Sequence, residues 1–383
     1  AIASLYASNL LTLVVAWGLL DIAVVVALLV RNEPQIGRRA AAAIVLYTSS
    51  TISVWIAALL IENDHGSIYW SLLDPGDSAR QWLMLAAALR IGVYPLHQWL
   101  PTELGRAPDR AALLVAVPAA TGLALLARLA LEQALLTNLI LPALAAISAL
   151  AGGVLAFQHP QRRAGLTYIA LAVVSLAVLL AFIDVGAGTL TAAALNWMFV
   201  SVSLFIARGF NRRQPWWSAG ALIAAASIAG VPGTLGFITR TQMLGSLIEN
   251  NRWPMLIVVL IAETCLMAAL ARPLFRASDE EESIGRGRSI SFGLALAIGA
   301  LPIVILGINS SAIPAAPSLA QAAARLTVTT ILAMLLPVGA GLTLAWRFRP
   351  TLSADDVPSE PMWARAIRLD WLYALLSAFM RRM

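Results

Sequence analysis

Apolar runs of roughly twenty residues recur along nearly the whole chain, with most charges confined to the short stretches between them. In hydrocarbon every backbone N–H and C=O must be satisfied within the protein, so such runs cross a membrane as helices. Runs of this kind lie near 8–30, 40–61, 81–104, 110–131, 135–157, 164–184, 188–207, 216–247, 253–275, 289–309 and 326–347, which makes about eleven predicted crossings. The composition agrees, at 60% hydrophobic against 12% charged residues. The expected fold class is therefore an all-α polytopic membrane protein.

Placing alternate loops on one side gathers most of the arginines there, among them Arg31, Arg38, Arg39, Arg106, Arg110, Arg162, Arg163, Arg212, Arg213, Arg286 and Arg288. The other side receives Glu62, Asp64, Asp74, Asp77, Glu132, Asp184 and Glu249. By the positive-inside rule the arginine side is cytoplasmic. A pI of about 10.2 would suggest nucleic acid in a soluble protein, but here it reads as a topology signal, and nucleic acid is excluded as a partner. Trp363, Ile367, Trp371 and Leu375 alternate with arginines near the C-terminus. They predict an amphipathic tail lying on the cytoplasmic face of the membrane or on a partner subunit. Trp70, Trp82, Trp99, Trp216, Trp217 and Trp253 sit near span ends, as interfacial anchors do.

Chemistry-bearing motifs are missing from this sequence. Cys265 is the single cysteine, and His65, His97 and His159 lack metal-ligand spacing. No phosphate loop, iron–sulfur cysteine cluster or nucleophile with a positioned base can be read. The expectation is no catalytic site, no metal and no cofactor within this chain.

Two spans are interrupted. The first carries Arg90 and is cut at Pro95; the second runs through Gly230, Pro232 and Gly233 to Arg240. Broken helices are tolerated only inside protein or beside a water-filled cavity, and a pair in corresponding places suggests an inverted-repeat transporter. The chain has no lysine, so all 26 basic residues are arginines. A guanidinium keeps its proton at cellular pH, whereas a desolvated lysine can release one.

The stretch from Arg90 to Arg128, with its core Pro95-Leu96-His97-Gln98-Trp99-Leu100-Pro101 and the following Ala107-Pro108, resembles the antiporter-like, proton-translocating membrane subunits of respiratory complex I. The same family includes Mrp antiporters and membrane-bound hydrogenases. Asn9 to Trp17, Arg162 to Tyr168, and Gly230-Val231-Pro232-Gly233 followed by Gly236-Phe237 continue the resemblance in order over about residues 5–275.

The resemblance implies an inverted-repeat fold with two discontinuous helices. Residues 1–131 would be a first, incomplete half, 132–275 a second, 276–350 further transmembrane helices, and 351–383 the cytoplasmic tail. It also implies helices before Ala1. Where the family places a glutamate after a helix tryptophan, Trp17 is followed by Gly18, with Asp21 one turn on. Arg90 stands for the family lysine, Val115 for a channel histidine, and Trp197 and Ser201 for a central histidine and lysine. Arg240 stands for the last titratable residue. The relay positions are thus largely replaced.

Isolated charges in lipid are costly, so Asp21 with Arg90, and Arg240 with Glu263, are candidate intramembrane ion pairs or transport groups. The implied function is a membrane-arm subunit of a complex I-like assembly in a bacterial inner membrane, with proton transport impaired or altered. Any NADH:quinone oxidoreductase chemistry would belong to other subunits. The alternative is a structural scaffold of a photosynthetic or inorganic-carbon uptake complex. Partners would be other membrane subunits and lipid, with a nearby quinone a further candidate.

Overall fold

A computed structural model of the chain describes residues 9–29, 36–65, 77–99, 108–131, 140–158, 162–183, 186–207, 218–275, 293–348 and Ile367. All regular structure among them is helical. In chain order the α-helices are α1 (Leu10–Leu29), α2 (Ile36–His65), α3 (Asp77–Ile91), α4 (Pro108–Leu131), α5 (Ile140–Gln158), α6 (Arg162–Ala181) and α7 (Ala187–Ala207). They continue as α8 (Ala219–Ile228), α9 (Leu235–Glu249), α10 (Trp253–Phe275), α11 (Leu301–Ile308), α12 (Leu319–Ala324) and α13 (Val328–Arg347). The loop arginines Arg31, Arg106, Arg212, Arg213, Arg286 and Arg288 lie outside the described residues. So do Asp74, Glu132, Asp184, Trp70, Trp216, Trp217 and the tail other than Ile367.

Six helices are long and apolar enough to cross a membrane by length and composition: α1, α2, α5, α7, α10 and α13. The surface fits that environment, since Leu11, Val15, Leu19, Ile22 and Val26 of α1 and Leu332, Leu335 and Leu336 of α13 are exposed, while serines, threonines and charges are buried. The core is apolar too, so what marks the environment is the row of large apolar side chains left on the outside.

The helices approach through small residues. Adjacent glycines of α5 face two neighbours: a Cβ on Gly152 would sit 3.0 Å from Tyr168 O of α6, and one on Gly153 would sit 2.9 Å from Ala262 O of α10. A Cβ on Gly341 would likewise place α13 against α10, 2.9 Å from Thr264 O. Where lipid is as apolar as the side chains, such close backbone approach carries much of the association. α1 to α4 pack in series, α4 crosses to α7, and α7 holds both α8 and α9.

The 216–247 run, read as interrupted, is two helices, α8 and α9, with Gly230 and Gly233 between them at positive φ, 73° and 85°. Two local features differ from the sequence reading, the end of the first interrupted helix and the 289–309 run. The 81–104 run stops being α-helical at Ile91 rather than at Pro95. The 289–309 run contains a π-helical segment, Ala295–Ala300, wrapped on α7, where a Cβ on Gly299 would strike Ser203 Oγ at 2.2 Å. The connection after it holds the short α12, opened by a capping box in which Ser318 and Gln321 bond reciprocally.

Candidate functional site: two helix breaks, each beside a buried ion pair

Each break ends a helix on a left-handed glycine. At the first, Gly92 has φ 74° and its N–H reaches Ala88 O at 3.1 Å, the single-bond left-handed cap. Tyr94 follows, joined to Pro95 by a cis peptide, and a short 3-10 turn spans Leu96–Trp99. The Tyr94 N–H freed by the break donates to Ser148 Oγ of α5 at 3.1 Å, and that oxygen also accepts from Ser175 Oγ of α6 at 2.7 Å.

At the second break the two-bond Schellman pattern closes α8, with Gly230 N to Ser227 O at 3.0 Å and Val231 N to Ala226 O at 2.9 Å. Thr234 then caps α9 by accepting from Phe237 N at 3.3 Å. Ser227 bridges the interruption: its hydroxyl accepts from Gly236 N at 3.0 Å and donates to Asn196 Oδ1 of α7 at 2.7 Å. Gly236 is required by contact, because any Cβ there would lie 1.8 Å from Ser227 O. A serine thus satisfies a freed N–H at both breaks.

Arg90, in the last turn of α3, is 0% exposed, and its donors are spread over two neighbouring helices, α1 and α4. Nη2 meets Asp21 Oδ1 at 2.5 Å and Trp17 O at 3.3 Å, Nη1 meets Asp21 Oδ2 at 3.4 Å, and Nε donates to Thr121 Oγ1 at 3.0 Å. Its guanidinium carbon lies 4.1 Å from the Trp17 ring centre and 5.4 Å from that of Tyr47. Thr51 of α2 donates to the other oxygen of Asp21 at 3.1 Å. Gly18, beside this pair on α1, has open space around its would-be Cβ.

Arg240 of α9 is 4% exposed and makes a tighter pair with Glu263 of α10. Nε contacts both carboxylate oxygens at 3.0 and 3.1 Å, and Nη2 contacts Oε2 at 2.6 Å. Nη2 also donates to Met334 O of α13 at 3.1 Å, and Nη1 donates to the carbonyl of Ala229, the C-cap of α8. One guanidinium therefore ties α8, α9, α10 and α13 together. Beside it lies a cavity of about 60 Å³, lined by Asn196, Ser227, Thr239, Arg240 and Glu263 and by apolar side chains including Leu176.

Between the breaks, Trp197 is 1% exposed and its indole N–H donates to Ala170 O of α6 at 3.0 Å. Ser201, one turn later, is buried with no hydrogen-bond partner among the described residues. Pro232 is exposed beside the second break. Val115 lies within α4, but its side chain falls outside the described residues.

The sequence reading named both carboxylates and both guanidiniums. It missed Thr51, Thr121, Ser148, Ser175, Asn196 and Ser227. Nothing separates a bridging hydroxyl from the many that merely pack in transmembrane helices. A signal did exist in Ser227, which stands three positions before the first glycine of the Gly-Val-Pro-Gly break.

Residues 7–266 match the family described as NADH:quinone oxidoreductase/Mrp antiporter, transmembrane. NADH-quinone oxidoreductase subunit N of Thioalkalivibrio sulfidiphilus is 24% identical over 269 residues, covering 60% of this chain and 53% of that protein. NADH-ubiquinone oxidoreductase chain 2 of Osphranter robustus is 25% identical over 298 residues, 71% of this chain and 81% of that one. Among solved structures, a chain of the Mrp complex from a Dietzia species superposes with a TM-score of 0.75 at 20% identity, covering 99% of this chain and 47% of its own. A chain of an archaeal membrane-bound sulfane sulfur reductase gives 0.65 at 16% identity, covering 92% and 75%. The chain spans about half the length of the subunit N relative. The resemblance read from the Arg90–Arg128 stretch is thereby confirmed: the chain is an integral membrane protein with the antiporter-like fold and belongs to the NADH:quinone oxidoreductase/Mrp antiporter transmembrane family.

Proposed function

We propose that this chain is a membrane-arm subunit of a multisubunit assembly of the complex I or Mrp kind, in which the two helix breaks are braced by fixed ion pairs and do not carry a proton relay. The observation that carries the reading is that all three nitrogens of each guanidinium are engaged with neighbouring helices. Arg90 and Arg240 direct donors at carboxylates, hydroxyls and backbone carbonyls of neighbouring helices, in the manner of a brace. Proton transfer needs groups that change protonation near working pH, and guanidinium does not. Gly18, Trp197 and Ser201 offer no acid or base in their place.

The wider arrangement follows the family. About eleven crossings form two inverted repeats, divided near residue 131, with the arginine-rich loops and the C-terminus on the cytoplasmic face of a bacterial inner membrane. The partners are other membrane subunits and lipid. The redox or transport chemistry of the assembly resides in those subunits.

The test is Arg90 exchanged in the assembled complex, with subunit composition checked by copurification. Arg90→Lys should leave proton translocation unchanged or raise it, and Arg90→Ala should chiefly reduce assembly. Loss of translocation in a fully assembled Arg90→Ala complex would overturn the reading. Copurified subunits also decide between a redox or antiporter assembly and a scaffold of a photosynthetic or carbon-uptake complex.

A further inference from the structure

Tyr94 at the first break is held at both ends. Its backbone N–H donates inward to Ser148 Oγ at 3.1 Å, and its phenol O–H donates to the backbone carbonyl of Ile367 at 2.8 Å, a residue 273 positions further along the chain. His97 stacks on the phenol with ring centres 5.2 Å apart and planes inclined by 15°, which fixes the direction of the hydroxyl. Ile367 is helical and half-buried, and its side chain packs against the apolar core. In the sequence it is the middle member of Trp363, Ile367 and Trp371, spaced by one helical turn with Arg365 and Arg368 between them.

We propose that the C-terminal segment around Ile367 docks on the first helix break, with Tyr94 as its anchor, so that the break is covered by the chain's own tail and not by lipid or another subunit. A helix break leaves backbone groups that hydrocarbon cannot satisfy, so something must cover it. An amphipathic segment with an apolar stripe and arginines alongside is suited to lie over such a position at the membrane surface. Tyr94 also gives the contact a route inward. The residue that holds Ile367 shares Ser148 with Ser175, so displacement of the tail is felt at the hydroxyls that satisfy the broken helix. The inference does not depend on the ion pairs being inert.

The experiment uses the full chain in its native membranes, permeabilised so that both faces meet reagent. A photoreactive benzophenone side chain in place of Ile367 should yield adducts that map by mass spectrometry to residues 92–99. Trypsin cleavage after Arg365 and Arg368 should be roughly fivefold faster in Tyr94→Phe than in the wild type, the effect of losing one hydrogen bond from a docked state that opens before it is cut. Tyr94→Phe keeps the ring and its stacking, so cleavage elsewhere in the chain should be unchanged. Adducts confined to lipid or to other helices, or equal cleavage rates in the two proteins, would overturn the proposal.

Discussion

Glu263→Ala is the perturbation that separates a brace from an incidental contact. It removes three charge-assisted contacts, at 2.6, 3.0 and 3.1 Å. It leaves the Arg240 guanidinium, 4% exposed, with the carbonyls of Ala229 and Met334 as its remaining partners. Breaking a buried pair by deleting one partner costs about 3–5 kcal/mol, most of it from the charge left behind. Asp21→Ala should cost less, roughly 1.5–3 kcal/mol, because Arg90 retains Thr121, the Trp17 carbonyl and two aromatic faces. Asp21 itself is also 15% exposed. The double variant Arg240→Leu with Glu263→Leu removes both charges, and replacing a buried ion pair by apolar side chains of similar volume is often neutral or stabilising, whereas deleting one partner strands a charge. It should therefore be more stable than Glu263→Ala alone. The assay is reversible unfolding in mixed micelles, read as a double-mutant cycle. A Glu263→Ala loss near 0.6 kcal/mol, the size of an ordinary hydrogen bond between membrane helices, would refute the reasoning. So would a double variant less stable than the single one.

Two further outcomes follow from the geometry of the breaks. Gly236→Ala should abolish accumulation of the chain in membranes, since its Cβ would overlap Ser227 O at 1.8 Å, whereas Gly18→Ala, with nothing within 4 Å, should accumulate normally; immunoblotting of membranes decides both. Ser148→Ala should lower stability in the micelle assay by about 1 kcal/mol, because it strands the partly buried N–H of Tyr94.

The fold was legible where the physics is one-dimensional. Apolar length marks a crossing without knowledge of its neighbours, so α1, α2, α5, α7, α10 and α13 could be read directly from the sequence. Gly-Val-Pro-Gly marks a break because left-handed backbone and a missing N–H both act locally. The charged members of the site were legible for a related reason: a charge in hydrocarbon must be near its opposite, and Asp21 and Glu263 are carboxylates set within apolar helices. The hydroxyl network was not legible. Ser148, Ser175 and Thr121 each sit in apolar helices with nothing local to distinguish them, and their roles depend on which helices meet. The π-helical turn at Ala295–Ala300 was hidden likewise, since nothing local marks it and its neighbour, Ser203 against Gly299, lies across an interface. The stopping point of the first interrupted helix was misplaced by a few residues because Gly92, able to adopt positive φ, ends it before Pro95 would.

The central claim, that these ion pairs brace the fold and do not conduct, is tested most directly by proton movement into closed vesicles containing the assembled complex with Arg240→Leu and Glu263→Leu combined. Translocation per assembled complex should equal that of the wild type, because neither group takes part in proton transfer. Loss of translocation from a complex of unchanged subunit composition would show that Glu263 or Arg240 lies on the proton path and would contradict the account.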